Sequence, residues 1–87
     1  MPKKYVLVSI IRTKNYDRYI CFWRANNQGY TEFSCSIGIY QELKDGYHNS
    51  ERTKAVEIEA LELLDSELDE GGIKYLNNKK NREILGF

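Results

Sequence analysis

The sequence predicts a small α+β domain: an antiparallel sheet of three or more strands packed against one main helix, with a short C-terminal helix. Three observations carry this. The run Tyr5-Val6-Leu7-Val8-Ser9-Ile10-Ile11 is β-branched and almost continuously apolar, as a strand buried on both faces is. Two further aromatic and β-branched stretches, residues 18–24 and 30–37, flank the turn-forming Ala25-Asn26-Asn27-Gln28-Gly29. Ile58, Leu61, Leu64 and Leu68 recur at spacings of 3, 3 and 4, an apolar stripe on a helix.

Taken in order, residues 4–12 form the first strand and Thr13 to Asp17 a turn-rich connection. Residues 18–37 read as a hairpin, since Asn and Gly accept positive φ at low cost. Residues 4–37 are then a three-stranded antiparallel meander. In its last strand Thr31, Phe33, Cys35 and Ile37 share the apolar face, which makes Cys35 a buried structural thiol. Gly38 permits a bend, residues 39–45 a short helix stopped by Gly46, and residues 47–52 a surface loop that contains His48. Residues 53–58 alternate like a short strand but also suit the start of the next helix. Residues 57–69 are expected to be the main helix, ended by Gly71-Gly72, with the stripe packed on Val6, Val8, Ile10, Ile20 and Phe22. Residues 73–76 suit a short edge strand, so Val56 and Tyr75 are candidates for added edge strands. Asn78 caps a last helix over Lys79 to Leu85, closed by Gly86.

The 87 residues suffice for one domain, residues 1–87, and not for two. Hydrophobic residues at 41% exclude a disordered tail. Thirteen bases against thirteen acids exclude a bulk DNA binder, which needs a basic excess. The zero conceals segregation. Residues 1–24 hold Lys3, Lys4, Arg12, Lys14, Arg18 and Arg24 against Asp17 alone, while residues 57–70 hold seven acids and no base. The plain reading is an acidic helix face in solvent beside basic strands; a self-complementary surface between copies is the other. With a small core and open sheet edges, a homo-oligomer is expected.

No stretch approaches the roughly 20 apolar residues of a membrane span. No leader with a small-residue cleavage site follows Met1-Pro2, so a cytoplasmic location is expected. Cys21 and Cys35 form no zinc-binding spacing, and no phosphate-loop, dinucleotide-binding, zincin or hydrolase motif occurs. No metal or cofactor is expected. A nucleotide-processing enzyme would have only His48 and scattered acids to work with, so the chain reads as non-enzymatic.

The densest candidate site is the segment from Trp23 to Thr31. Trp23 and Tyr30 offer aromatic faces for a base, Arg24 a fork for phosphate, and Asn26 and Asn27 donors and acceptors beside Gly29. The ligand that would use all of these is a nucleotide. The competing reading is a tight hairpin turn with Trp23 anchored in the core and Tyr30 as its cross-strand partner. Asn77, Asn78 and Arg82 form a second polar cluster, read either as an anion site or as a simple helix cap. Seven tyrosines exceed what so small a core needs.

The segments FWRANNQGYT (residues 22–31), IGIY (residues 37–40) and LNNKKNREILGF (residues 76–87) resemble small uncharacterised proteins of phages and bacterial prophages. Those proteins carry F-W-R-P-N-N-x-G-Y-T-like, A-G-x-Y and N-x-x-x-x-R-x-x-L-G segments. Here Ala25 replaces the proline and Ile37 the alanine. The resemblance implies a phage or mobile-element origin and adds Thr31 and Tyr40 to the candidate residues. It carries no established activity. Two functions are expected on this footing. One is a counter-defence protein, acting in the host-cell cytoplasm, that sequesters a small nucleotide-like anion. The other is an inhibitor or adaptor that binds a host defence or nucleic-acid enzyme through the acidic helix and exposed tyrosines.

Overall fold

The first strand, β1 (Tyr5–Ser9), is the centre of the molecule. In the computed structural model, which describes residues 3–14, 17–44 and 46–87, it pairs on both edges. On one side lies β2 (Phe22–Trp23), followed by β3 (Tyr30–Thr31); on the other lies β4 (Thr53–Glu57), giving the order β3-β2-β1-β4. All pairings are antiparallel, with Val8 opposite Phe22 and Val6 opposite Val56. A second sheet is the hairpin of β5 (Ser66–Asp69) and β6 (Gly72–Tyr75). Single bridges from Tyr19 to Leu76 and from Phe33 to Lys74 tie it to the first sheet's connections. The chain ends in helix α1 (Lys79–Leu85). Asn15 and Tyr16 of the expected turn, Asp45 of the expected short helix, and Met1-Pro2 lie outside the described residues.

Alternation along β1 explains its sequence. Val6 and Val8 enter the main core with Ile20, Phe22, Leu64 and Leu85. Leu7, on the opposite face, is also fully buried. Its register neighbour Trp23 is covered there by the rings of Tyr47 and His48. Between Val6 and Ser9 the sandwiched strand has no solvent face, which suits the apolar run, but the strand expected over residues 4–12 ends at Ser9, and Ile11 is 53% exposed in the turn that follows.

The main helix expected over residues 57–69 does not exist. The segment divides into the end of β4, a 3-10 helix (Ile58–Leu63), and β5. Spacings of 3 and 3 suit a 3-10 helix, with three residues per turn, as well as an α-helix. Ile58, Leu61 and Leu64 do pack on the core, but Leu68 is 81% exposed on the hairpin. Electrostatics favours the observed arrangement. An α-helix would set Asp65 near Asp69 and Glu62 near Asp65, with no base between them. The hairpin instead places Lys74 opposite Glu67 and 3.0 Å from Asp69. Glu70-Gly71 is therefore the hairpin turn and Gly72 opens β6, so the glycine pair is not a helix stop.

Three smaller expectations also fail. The third strand stops at Thr31, whose Oγ1 accepts the Phe33 N–H and turns the chain into a 3-10 turn (Ser34–Ser36). The alternation ends there, and Cys35 is exposed. In place of the short helix expected over residues 39–45, the described part, residues 39–44, has a bridge between Tyr40 and Tyr5 followed by bends. The C-terminal helix matches its sequence signals. Asn78 Oδ1 accepts the Asn81 N–H, Gly86 is left-handed at φ 89°, and Phe87 N–H returns to the Arg82 carbonyl. No helix among the described residues is long and apolar enough to cross a membrane.

Candidate functional site

The turn between β2 and β3 is held in one shape by residues distant in sequence. Asn26 and Asn27 are both left-handed, at φ 59° and 57°, and Gly29 follows at φ 99°. The Arg24 N–H donates to the Gly29 carbonyl at 2.8 Å. Tyr40 Oη accepts the Asn27 N–H at 3.0 Å and donates to the Arg24 carbonyl. Gly38 lies so close that a Cβ there would sit 2.4 Å from the Ala25 nitrogen; its own N–H bonds the Trp23 carbonyl. Its role is this close approach, not the bend expected from sequence.

His48 is buried at 4% exposure, against the expectation of a surface loop residue. Its Nδ1 accepts the Lys44 N–H at 2.9 Å, so the ring proton sits on Nε2 and is donated to Asn27 Oδ1 at 2.9 Å. Burial, reinforced by the Lys44 charge, lowers its pKa. The ring meets Trp23 edge-on and lies tilted against Tyr40 and Tyr47. The aromatic neighbours of the turn were visible in sequence; that a loop 20 residues later supplies the clamp was not.

Most of the candidate residues thus shape the turn. Trp23 is in the interior, Asn26, Asn27 and Gly29 supply its left-handed backbone, and Tyr40 ties it down. Thr31 caps Phe33. The Arg24 guanidinium is different. Among the described residues it has no hydrogen-bond or ion-pair partner, and it lines a groove of about 520 Å³ with Arg12, Cys21, Tyr30, Thr31 and Ser36. The Arg12 guanidinium lies 4.1 Å from the centre of the Tyr30 ring. Arg12 also has no carboxylate partner among the described residues. The one acid on the rim, Glu32, is 3.6 Å from Lys74. Burial, more than the nearby Glu32 charge, pushes the Cys21 thiol up to about 11, so it stays protonated and unreactive.

The second cluster does not join this groove. Asn77 Nδ2 donates to the carbonyls of Lys14 and Asp17, and its Oδ1 accepts from Arg82. Asn78 is the helix cap and also donates to Asp65. The cavity at Asn77, Lys79, Arg82 and Phe87, about 380 Å³, shares no lining residue with the Arg24 groove. Asn77 and Asn78 are therefore structural ties. A residue that sequence gave no sign of, Asn81, is the deepest of them. It is fully buried, accepts the Asp65 N–H, and donates to the carbonyls of Asp65 and Leu76.

The segregated charges pair within the chain. Arg18 forks onto Glu67, Lys80 meets Asp65, Lys3 meets Glu57, and Lys74 meets Asp69 and Glu32. The Lys74 ammonium also lies 4.6 Å from the rings of both Tyr19 and Phe33. The acidic helix expected to meet a partner is not formed, and four of its acids are engaged within the chain. No group of His, Cys, Asp and Glu among the described residues is arranged to hold a metal ion.

No protein-family model matches the chain, no curated protein matches its sequence, and no solved structure matches its fold.

Proposed function

We propose that this chain is a non-catalytic binding protein that takes a small nucleotide-like anion in the groove between Arg12 and Arg24. One observation carries the reading. Two guanidiniums without carboxylate partners among the described residues line one groove, beside the Tyr30 ring and the Thr31 and Ser36 side chains. Guanidinium forks suit phosphate, and the aromatic and hydroxyl groups suit a base and ribose. The protonated Cys21 thiol and the fully engaged His48 ring support binding without turnover.

The phage resemblance of residues 22–31, 37–40 and 76–87 supplies the setting: sequestration of a nucleotide signal of bacterial defence in the host-cell cytoplasm. A homo-oligomer now rests on the outer edge of β4, since the acids expected to meet a second copy are engaged within the chain. On that edge Asn49 Oδ1 already covers the Ala55 N–H. A monomer in light scattering at micromolar concentration would remove the oligomer.

The binding test is a thermal-shift series of the purified protein with nucleoside mono-, di- and cyclic phosphates. At least one should raise the melting temperature, and Arg24→Ala should abolish that rise with the fold unchanged by circular dichroism. A folded protein that responds to none of them refutes the function.

A further inference from the structure

Tyr30 is a shared wall. On one side is the groove of Arg12 and Arg24. On the other is a more enclosed cleft of about 310 Å³, lined by Trp23, Tyr30, Tyr47, Ser50, Arg52 and Thr53. The rings of Tyr30 and Tyr47 both meet Trp23 edge-on, with centroids at 5.9 and 5.3 Å. Trp23 is thus the base of the cleft, and the two half-exposed tyrosines are its sides. Arg52 brings a third guanidinium without a carboxylate partner among the described residues. The Ile10 N–H donates to its carbonyl at 2.8 Å, which fastens the Arg52 backbone beside the segment that carries Arg12.

The chain has five arginines. Arg18 is engaged by Glu67 and Arg82 by Asn77. The other three, Arg12, Arg24 and Arg52, all lie around Tyr30. Cations left without acids on both sides of one aromatic wall call for a ligand with two separated anionic groups and a planar part between them. A mononucleotide has one such group and would leave one side unused.

We infer that the ligand is a dinucleotide that straddles Tyr30, with one phosphate between Arg12 and Arg24, a base in the Trp23–Tyr30–Tyr47 cleft, and the second phosphate at Arg52. This rests on the proposed function and specifies it. Base-to-aromatic stacking and the second guanidinium add to the attraction at the first phosphate.

The test follows the fluorescence of Trp23, the single tryptophan, in the full-length chain. The probes are adenosine monophosphate and the 5′-phosphorylated linear diadenylate. Expected is at least tenfold tighter binding of the diadenylate. Arg52→Ala should bring the diadenylate to the affinity of the monophosphate and leave the monophosphate unchanged; Arg24→Ala should weaken both. Arg52→Gln repeats the result with less loss of side-chain packing, and circular dichroism confirms that each variant is folded. Equal binding of the two probes with no effect of Arg52→Ala overturns the straddling ligand and leaves the Arg12–Arg24 site standing. Binding of neither probe by the folded protein overturns this inference, and the nucleotide series above then decides the function separately.

Discussion

His48 holds Asn27: its Nε2–H donates to Asn27 Oδ1 at 2.9 Å, while Nδ1 accepts the Lys44 N–H at the same distance. The pair works only with a neutral ring, because a protonated Nδ1 would point a proton at the Lys44 N–H. Burial and the Lys44 charge lower the folded-state pKa, so the unfolded chain binds the proton more readily. The stability this contributes is therefore complete above the ordinary imidazole value of about 6.5 and declines as pH falls through the folded-state pKa. Melting temperature should drop between pH 7 and 5 in the native protein. In His48→Gln, which has no titrating ring, that drop should be absent.

A second acid-sensitive step belongs to the surface carboxylates. Hydrogen bonds from Arg18 and Tyr19 hold Glu67 below its usual range, those from Lys80 and Asn78 do so for Asp65, and the Glu70 N–H with Lys74 does so for Asp69. Their contribution is present above the ordinary carboxylate values, near 4, and is lost as pH falls through the lowered ones. Unfolding should become easier below pH 4, and at neutral pH it should be eased by salt, since these exposed pairs are screened. Urea midpoints at low and high salt check this; a salt-independent midpoint speaks against it.

Tyr40→Phe removes the hydroxyl that joins the Arg24 carbonyl to the Asn27 N–H. The turn is exposed and water replaces part of the loss, so the cost should be about 1 kcal/mol by urea denaturation. No measurable loss would mean that Tyr40 contributes chiefly through its ring packing on His48.

Gly38→Ala places a methyl 2.4 Å from backbone that no rotamer change can move away. Destabilisation of roughly 1–3 kcal/mol is expected from such overpacking. Amide exchange should rise first at Arg24 and Gln28, whose turn hydrogen bonds must shift. A neutral variant would show that the turn is free to move.

Asn81→Ala leaves the Asp65 N–H and the Leu76 carbonyl without their side-chain partner, while the Asp65 carbonyl keeps the Leu76 N–H. At about 1–3 kcal/mol for each orphaned group, a total of roughly 3 kcal/mol is expected. For a domain of this size that lowers the melting temperature by roughly 12 °C or more. A change of only a few degrees would mean that water fills the site.

What could be read from the sequence depended on how local the deciding interaction was. The Asn78 cap and Gly86 stop act within one helix, so α1 was legible to the residue. The strand β1 was legible because Val6 to Ser9 are buried on both faces, but its end was not, since Ile10 and Ile11 continue the apolar pattern into a turn. The stripe Ile58, Leu61, Leu64 was ambiguous between two helix types, and the choice was made by Lys74, Arg18 and Lys80, all remote in sequence. The Trp23–Thr31 segment showed its aromatic and polar content but not its division of labour. That required Tyr40 and His48, whose bonds to the turn separate the groups that build it from the Arg24 guanidinium, which does not.

The core draws on both ends of the chain. Val6, in the first strand, and Leu85, in the last helix, are buried in one cluster. The sheet can begin to pair before α1 docks, but the space that Leu85 fills stays open until it does. The step that closes this core is therefore the meeting of two segments far apart in sequence, and an intermediate without α1, with Val6 and Phe22 partly uncovered, is the form a chaperone or protease would meet.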